Sequence, residues 1–170
     1  MTEILAGDPA TAKSELERRL VGARNDLLVV LRTLPAPLRE RPGVAASWSA
    51  KDLAGHVASW ESRYLTLIQH LINGQGERIR WISGDQARET WNHKEWLRKR
   101  NWTWQEVIRD LALMREELLW NLGWATPEQV FREQDFQVGS VSPARLLDGL
   151  IEHDQEHTAQ LLAWLAQESP

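Results

Sequence analysis

The sequence predicts an all-α protein folded as a four-helix bundle, and three observations lead to this prediction. Apolar residues recur at spacings of three and four along four long segments, which is the period of an amphipathic helix. Helix-capping residues stand at the start of those segments. No convincing apolar–polar alternation bounded by hairpin turns is present, so no strands are expected.

Chain length and the connecting segments define the expected architecture. The 170 residues suit one domain with a core of its own, which we place over residues 1–170. Connections of a dozen or more residues do not force neighbouring helices to be antiparallel. We therefore expect long crossover connections, and the pattern leaves open the order in which the helices pack.

Five residues are predicted to cap helices at their N-termini. Each is a Ser, Thr or Asp that precedes a helix-forming run: Asp8, Ser49, Asp85, Thr103 and Ser142. The predicted N-cap at Thr103 follows the one at Asp85 by fewer than twenty residues. The third helix is therefore predicted to be broken near Asn101. The helix that opens at Ser142 and Pro143 is expected to run to about residue 167.

Proline and glycine residues are predicted to end the helices. Pro35 stops the first helix, and Asn73 with Gly74 ends the second. Gly123 is predicted to follow the last residue of the helix before it. The segment 39–47 is interpreted as a loop.

The composition excludes several classes of protein. With no cysteine, the chain has no disulfide, no thiolate metal ligand and no cysteine nucleophile. A formal charge of −4 without a block of basic residues argues against nucleic-acid binding. No run approaches 18 consecutive apolar residues and the N-terminus is unlike a signal peptide, so we expect no membrane span and a cytoplasmic protein.

Three histidines stand at positions where the helical pattern is apolar. His153 and His157 lie four residues apart on the last helix, between Leu150 and Leu161. Residues at this spacing share one helix face, with Cβ atoms about 5–6 Å apart. His56 occupies a matching position in the apolar stripe of the second helix. The sequence therefore places three imidazoles towards the core.

Three core-facing imidazoles need partners for their nitrogens, since an unpaired buried polar group costs about 1–3 kcal/mol. A divalent ion that binds one nitrogen each of His56, His153 and His157 satisfies all three together. It also leaves a fourth position to water, as in catalytic zinc sites. The alternative is that they are ordinary core histidines satisfied by neighbouring polar groups.

Polar residues that flank the histidines are expected near such a site. Asp52, one turn before His56, and Gln160, about one turn beyond the histidine pair, are candidates to orient a bound ligand. For Asp52 the competing interpretation is that it only completes the helix cap. His70 and His93 are expected on the surface or on a pocket wall, with His93 the nearer of the two.

The sequence contains ten tryptophans against two phenylalanines and one tyrosine. Five of them lie close together in the chain, namely Trp81, Trp91, Trp96, Trp102 and Trp104. Core packing is one explanation, because a large ring fills space between helices. The other is an aromatic-walled pocket, to which Trp60 on the inward face of helix two contributes.

Three segments are similar to signatures of the DinB-like (DinB/YfiT) superfamily of four-helix-bundle proteins. "SWSAKDLAGHVASWE" resembles the second helix of that family, and "SPARLLDGLIEHDQEHTAQLLAWL" resembles its last helix, with two histidines and a following Gln. In "TWNHKEW", Asn92 falls where many members have an asparagine at the start of helix three. The likeness extends over about residues 10–168.

This resemblance implies a metal site made by His56, His153 and His157, with zinc or nickel as the expected ion. It also implies a small-molecule substrate, a low-molecular-weight thiol as cosubstrate in some members, and a homodimer. The segment "IRWISGDQARETWNHKEW" is similar to the ClbS/DfsB-like branch, for which the resemblance implies a metal-independent reaction.

Three functions are therefore considered. The first is a metal-dependent hydrolase or thiol transferase, in which the ion activates water or a thiolate. The second is a metal-independent protein that binds or sequesters a small molecule in a Trp-lined cavity. The third is a structural or interaction role, with the histidines paired to carboxylates or water.

Overall fold

Helices make up most of the computed structural model, which describes residues 8–136 and 139–168. They are α1 (Pro9–Thr33), α2 (Ala50–Ile72), α3 (Asp85–Lys99), α4 (Trp104–Trp124), α5 (Pro127–Phe131) and α6 (Pro143–Glu168). Single 3-10 turns at Ala36–Leu38 and Gly76–Arg78 lie in the connections. The prediction of a mainly helical protein is confirmed, and no helix in the described ranges has the length and apolar character of a bilayer span.

Two short antiparallel hairpins correct the expectation that the chain has no strands. β1 (Pro42–Ala45) pairs with β2 (Trp48–Ser49), and β3 (Gln134–Phe136) pairs with β4 (Gly139–Val141). The first lies largely in the predicted loop and reverses direction through Ala46, whose φ is 53°. Strands this short do not display a period of two, which is why the sequence pattern missed them.

Four of the five predicted N-caps are confirmed. In each, a side-chain oxygen accepts a hydrogen bond from the backbone N–H three residues later: Asp8, Ser49, Thr103 and Ser142. The prediction for Asp85 is wrong, because Gly84 holds the cap position and Asp85 is the first helical residue. The Asp85 carboxylate pairs instead with Arg88, one turn further along α3.

The helix ends agree with the sequence at three of four points, the first being α1, which ends at Thr33 with Leu34 as its C-cap directly before Pro35. The break near Asn101 is confirmed by the gap between α3 and α4. Gly74, with φ of 68°, follows α2 in the left-handed conformation that glycine adopts readily. Gly123 does not end its helix, since α4 continues past it and Ala125 takes the C-cap position.

The core is divided along its length into two apolar halves, and α1, α2, α4 and α6 supply both. One half contains the N-terminal parts of α1 and α6 and the C-terminal parts of α2 and α4. The other half contains the remaining parts of the same helices. It follows that α1 and α6 run in one direction and α2 and α4 in the other. The connection between α2 and α4, which includes α3, is therefore a crossover.

One buried charged residue from each of these four helices lies between the two apolar halves. Arg24 of α1, Glu61 of α2, Arg115 of α4 and Asp154 of α6 are 2, 0, 4 and 0% exposed. Arg24 donates to the two Asp154 oxygens at 3.1 and 2.9 Å and lies 2.6 Å from a Glu61 oxygen. Arg115 completes the ring by pairing with Glu61 and, at 2.9 Å, with Asp154.

This ring of four charges is electrically balanced, with two cations and two anions. Backbone carbonyls of Leu111 and Leu20 accept further hydrogen bonds from Arg24 and Arg115, respectively. An intact buried network of this kind adds little net stability, whereas loss of one member leaves an uncompensated buried charge. The ring therefore determines which residues of the four helices face one another more than it determines how stable they are together.

Replacement of Arg115 by Met, which keeps an apolar stem but removes the cation, should lower the free energy of unfolding by about 3–5 kcal/mol. Urea denaturation followed by far-UV circular dichroism measures the change. Arg109→Met is the matched control, because Arg109 is an exposed arginine of the same helix. An equal and small effect of both substitutions would contradict the importance of the charge ring.

Candidate metal centre

The candidate site lies between the first half of α2 and the middle of α6. The Ser49–Asp52 capping box fixes the start of α2, and His56 follows it by one turn. His153 and His157 come from consecutive turns of α6, which packs against α2. The indole of Trp48, from the first hairpin, lies 4.9 Å from the His56 ring centre. The site is therefore assembled from a capped helix end, a hairpin and a second helix.

The structure brings the three predicted histidines together through one nitrogen each. His153 Nε2 lies 3.2 Å from His56 Nε2 and 2.9 Å from His157 Nε2. One ligand atom from each residue falls within 4.8 Å of the others, so the set can hold a single ion. His157 is buried, and His56 and His153 are half-buried.

Gln160 determines the orientation of His157. His157 Nδ1 lies 2.8 Å from Gln160 Oε1, an oxygen that only accepts, so Nδ1 carries the proton. The lone pair of this imidazole is then on Nε2, the atom that faces the other two rings. Metal-binding histidines are commonly held in this way by an acceptor on the opposite nitrogen. Gln160 therefore lies beside His157, and a role in orienting a bound ligand stays a prediction.

His153 is the least satisfied of the three rings. Its Nδ1 is buried and has no hydrogen-bond partner among the described residues. Its Nε2 can donate to only one of the two nitrogens beside it, and only if Nδ1 carries no proton. Without a cation, His153 Nε2 forms a hydrogen bond with at most one of its two neighbours, and an unsatisfied contact of this kind is unfavourable in a buried site.

Burial lowers the pKa of all three imidazoles. The pKa of His56 falls to about 2, mainly through burial, with added repulsion from the other two histidines and Lys99. The pKa of His153 falls to about 3 through burial and then repulsion from His157. Burial also lowers the pKa of His157, against the opposing effect of its hydrogen bond to Gln160. The rings are thus neutral at pH 7, the state in which imidazole binds metals.

The nitrogen separations fit a small tetrahedral ion. Two imidazole nitrogens bound at 2.0–2.1 Å to such an ion lie about 3.3 Å apart. The separations of His153 Nε2 from the other two nitrogens, 3.2 and 2.9 Å, are within a few tenths of an ångström of that value. Three neutral nitrogen donors suit zinc and nickel, among other divalent ions.

Asp52 has the capping role rather than a place beside the histidines. Its Oδ2 accepts hydrogen bonds from Ser49 N at 3.0 Å and Ser49 Oγ at 2.6 Å. Its Oδ1 accepts one from Trp96 Nε1 at 2.8 Å. Both carboxylate oxygens are therefore engaged in starting α2 and in holding α3 against it.

Trp60 and Asn92 line the cavity beside His153, whereas His93 lies at the surface of α3. Trp60 Nε1 donates to Asn92 Oδ1 at 2.9 Å, which joins α2 to α3. His93 is exposed and stacks on Trp96, with ring centres 5.8 Å apart. It lines a recess with Asp52, Asn92 and Trp96. Among the described residues, His93 is not part of the group of histidines whose ligand atoms converge.

A cavity of about 250 Å³ adjoins the histidine cluster on the side of His153. Its walls come from α2, α3 and α6: Trp60, Tyr64, Arg88, Asn92, Gly149, Leu150 and His153. Tyr64, Arg88 and Gly149 were not recognised as site residues from the sequence. For Tyr64 a signal existed in the sequence, since a side chain with a polar hydroxyl continues the apolar stripe of α2 one turn beyond Trp60.

The five clustered tryptophans do not enclose one cavity. Trp91 packs on Trp60 with ring centres 4.3 Å apart, and Trp81 packs on Phe136 at 5.6 Å. Trp102 and Trp104 pack against the apolar half of the core that contains the N-terminal part of α2. Core packing, the first of the two explanations, accounts for Trp102 and Trp104, and the cavity wall is built by Trp60 instead.

Comparisons with known proteins agree with this description. The sequence model of the DinB family matches residues 8–168, which is nearly the whole chain. A crystal structure of an uncharacterised protein from Escherichia coli UTI89 has a TM-score of 0.74 and 14% sequence identity, over 92% of this chain and 94% of that one. At this identity the likeness shows a shared fold. No protein among those of curated function matches the sequence significantly.

The buried neutral histidines should make the metal-free protein sensitive to mild acid. Because their folded-state pKa values lie below the ordinary value near 6.5, the unfolded chain binds more protons as the pH falls below that value. In the presence of EDTA, the free energy of unfolding of the wild type should therefore fall between pH 7.5 and pH 5. In His153→Leu this fall should be smaller by about 1–2 kcal/mol, because one of the buried imidazoles is absent. Urea denaturation at both pH values gives the comparison.

His93→Leu is the control for the acid experiment, since His93 is exposed and lies outside the cluster. It should lose as much stability on acidification as the wild type does. If His153→Leu behaves in the same way as His93→Leu, the cluster is not held in the neutral state by burial.

Proposed function

The chain belongs to the DinB family, and from this premise we propose that it is a metal-dependent enzyme whose divalent ion is held by His56, His153 and His157. The ion that best suits the donors is zinc or nickel. The substrate is a small molecule that enters through the cavity beside His153. The reaction is a hydrolysis or a thiol transfer.

The convergence of three uncharged Nε2 atoms carries this proposal. Two of them lie 2.9 and 3.2 Å from the third, in a site where burial keeps every ring unprotonated. Hydrogen bonds among neutral imidazoles do not satisfy all of these atoms, whereas one cation does. Gln160 supports the same arrangement, because it holds the proton of His157 on the far nitrogen.

A bound divalent ion supplies Lewis acidity, which lowers the pKa of a water ligand or stabilises a thiolate. The protein contributes the remaining functions. The three histidines leave room for a fourth ligand, and the cavity beside His153 allows a substrate to reach it. Trp60 and Leu150 exclude water from the apolar part of that cavity. Because the chain has no cysteine, any reacting thiol comes from a small-molecule cosubstrate.

The architecture and setting are proposed on the same family basis. We propose a single domain over residues 1–170, which the family match over residues 8–168 supports, with α1, α2, α4 and α6 as a four-helix bundle. We further propose a homodimer that works in the cytoplasm.

One observation favours a second candidate function, the binding of a small molecule without a metal. The 250 Å³ cavity has Trp60, Tyr64 and Leu150 in its walls, and His153 is the one histidine of the cluster that lines it. Pockets with apolar walls and a few polar groups are typical of ligand-binding proteins. Metal binding separates this candidate from the enzyme.

Zinc added to the metal-free protein should bind with a stoichiometry of about one ion per chain in isothermal titration calorimetry. At a hundredfold excess over the dissociation constant, binding to the folded state contributes about 2.7 kcal/mol. For a protein of this size, that raises the melting temperature by about 5–10 °C. His157→Ala should abolish both the heat of binding and the shift.

His93→Ala is the matched control, since it removes an exposed imidazole that lies away from the cluster. It should bind zinc as the wild type does. A wild-type protein that takes up neither zinc nor nickel would contradict the enzyme proposal and leave metal-independent binding as the better account. If His157→Ala and His93→Ala change zinc binding to the same extent, the ion is bound elsewhere.

A further inference from the structure

The walls of the cavity beside His153 carry positive charge and no negative charge. The whole chain has 24 acidic and 20 basic residues, yet Arg88 is the one formally charged residue among those that line the cavity. The other polar groups there are the phenol of Tyr64, the amide of Asn92 and the neutral imidazole of His153. In a protein with net negative charge, a wall whose one formal charge is positive favours an anionic ligand over a cationic one.

We propose that the substrate is a small molecule with a planar apolar group and a carboxylate, and that Arg88 and Asn92 bind the carboxylate. This inference rests on the proposed function, because it places the rest of the same molecule next to the metal ligand His153. Arg88 and Asn92 are thus specificity-determining residues.

Asn92, which lines the cavity, has free hydrogen-bond donors. The indole nitrogen of Trp60 can only donate, so the atom of Asn92 that it contacts at 2.9 Å is the carbonyl oxygen Oδ1. The amide nitrogen of Asn92 has no hydrogen-bond partner within residues 8–136 and 139–168. Its two N–H groups are therefore available to an acceptor on a ligand.

Arg88 can turn towards a ligand at little cost. Its pairing with Asp85 is exposed, with side chains that are 51 and 89% accessible. Exposed ion pairs of this kind contribute about 0–1 kcal/mol. One guanidinium with an acidic neighbour suits a carboxylate better than a doubly charged phosphate, and it can bind both carboxylate oxygens together.

The apolar part of the ligand fits between α2 and α6. Trp60 is fixed by its hydrogen bond and by Tyr64, which meets it edge-on with ring centres 6.1 Å apart. Leu150 and Gly149 of α6 complete the apolar lining. A volume of 250 Å³ corresponds to about eight waters at ~30 Å³ each, which is enough for one small aromatic ring and its substituent.

Gly149 preserves the width of this cavity. Glycine within a helix is less favourable than alanine by about 1 kcal/mol, and Gly149 lies well inside α6. A Cβ at this position would lie 3.8 Å from Tyr64 Cε1, which is ordinary contact. Alanine can therefore be accommodated without a clash, but its methyl group would occupy space that the ligand needs.

Benzoate and benzamide form a matched pair of probes, since they have the same shape and differ in charge. Isothermal titration calorimetry with the zinc-loaded and the metal-free protein should show at least tenfold tighter binding of benzoate in both forms. Arg88→Gln should remove that preference. Arg98→Gln should keep it, because Arg98 is an exposed arginine of α3 that pairs with Glu95 at the same three-residue spacing but lies outside the cavity.

Gly149→Ala provides a second test that does not depend on charge. It should raise the melting temperature while it weakens the binding of both probes severalfold. Gly22→Ala is its control, because Gly22 lies inside α1 with nothing within 4 Å of an added Cβ. That variant should gain stability and bind the probes as the wild type does.

Several results would overturn the inference. They are equal binding of benzoate and benzamide, no binding of either, or an unchanged benzoate preference in Arg88→Gln. Benzoate binding that requires zinc and is unchanged in Arg88→Gln would mean that the ion binds the carboxylate. That result would refute this inference but not the proposed metal-dependent enzyme. Arg88-dependent binding by a protein that never takes up metal would refute the enzyme and leave the anion site intact.

Discussion

The ring of buried charges between Arg24, Glu61, Arg115 and Asp154 is the constraint on which the rest of the structure depends. Each of the four long helices contributes one member, and every member is almost completely removed from solvent. Apolar residues tolerate a shift of one helix along another far better than a charge does, because a displaced charge loses its partners in the core. The ring therefore fixes how far each helix is advanced relative to the others, and the apolar residues on either side pack to that arrangement.

The positions of the candidate site residues follow from this ring, because two of them are direct neighbours of its members. Asp154 points to α1 and α4, so His153, about 100° further round the same helix, points towards α2. On α2, Glu61 enters the ring, and Trp60 beside it faces the cavity. The two helices thus present a charged face to one side and a site-forming face to the other. A substitution in the ring would accordingly shift α6 and thereby displace His153 and His157 in the candidate metal centre.

Local patterns in the sequence were sufficient to predict where the helices start and which three histidines face the core. They did not predict the buried arginines, the cavity residues Arg88 and Gly149 or the two hairpins. Caps involve residues three apart, and the histidines interrupt apolar stripes that a single helix displays, so neither needs knowledge of the fold. Arg24 and Arg115 stand next to apolar stripes, where a charged residue ordinarily reaches solvent, and only their partners on other helices explain their burial. Arg88 and Gly149 meet across a cavity formed by three helices, which no local pattern encodes. The hairpins were missed because their strands contain too few residues to show a period.

The central claim is that one divalent ion is bound by three imidazoles from α2 and α6. X-ray absorption spectroscopy at the zinc K edge, on protein loaded with one equivalent of zinc, tests it most directly. The account predicts an inner shell at 2.0–2.1 Å with the outer-shell scattering of three imidazole rings per ion. An inner shell of carboxylate and water oxygens, without the imidazole signal, would show that His56, His153 and His157 do not form a metal centre.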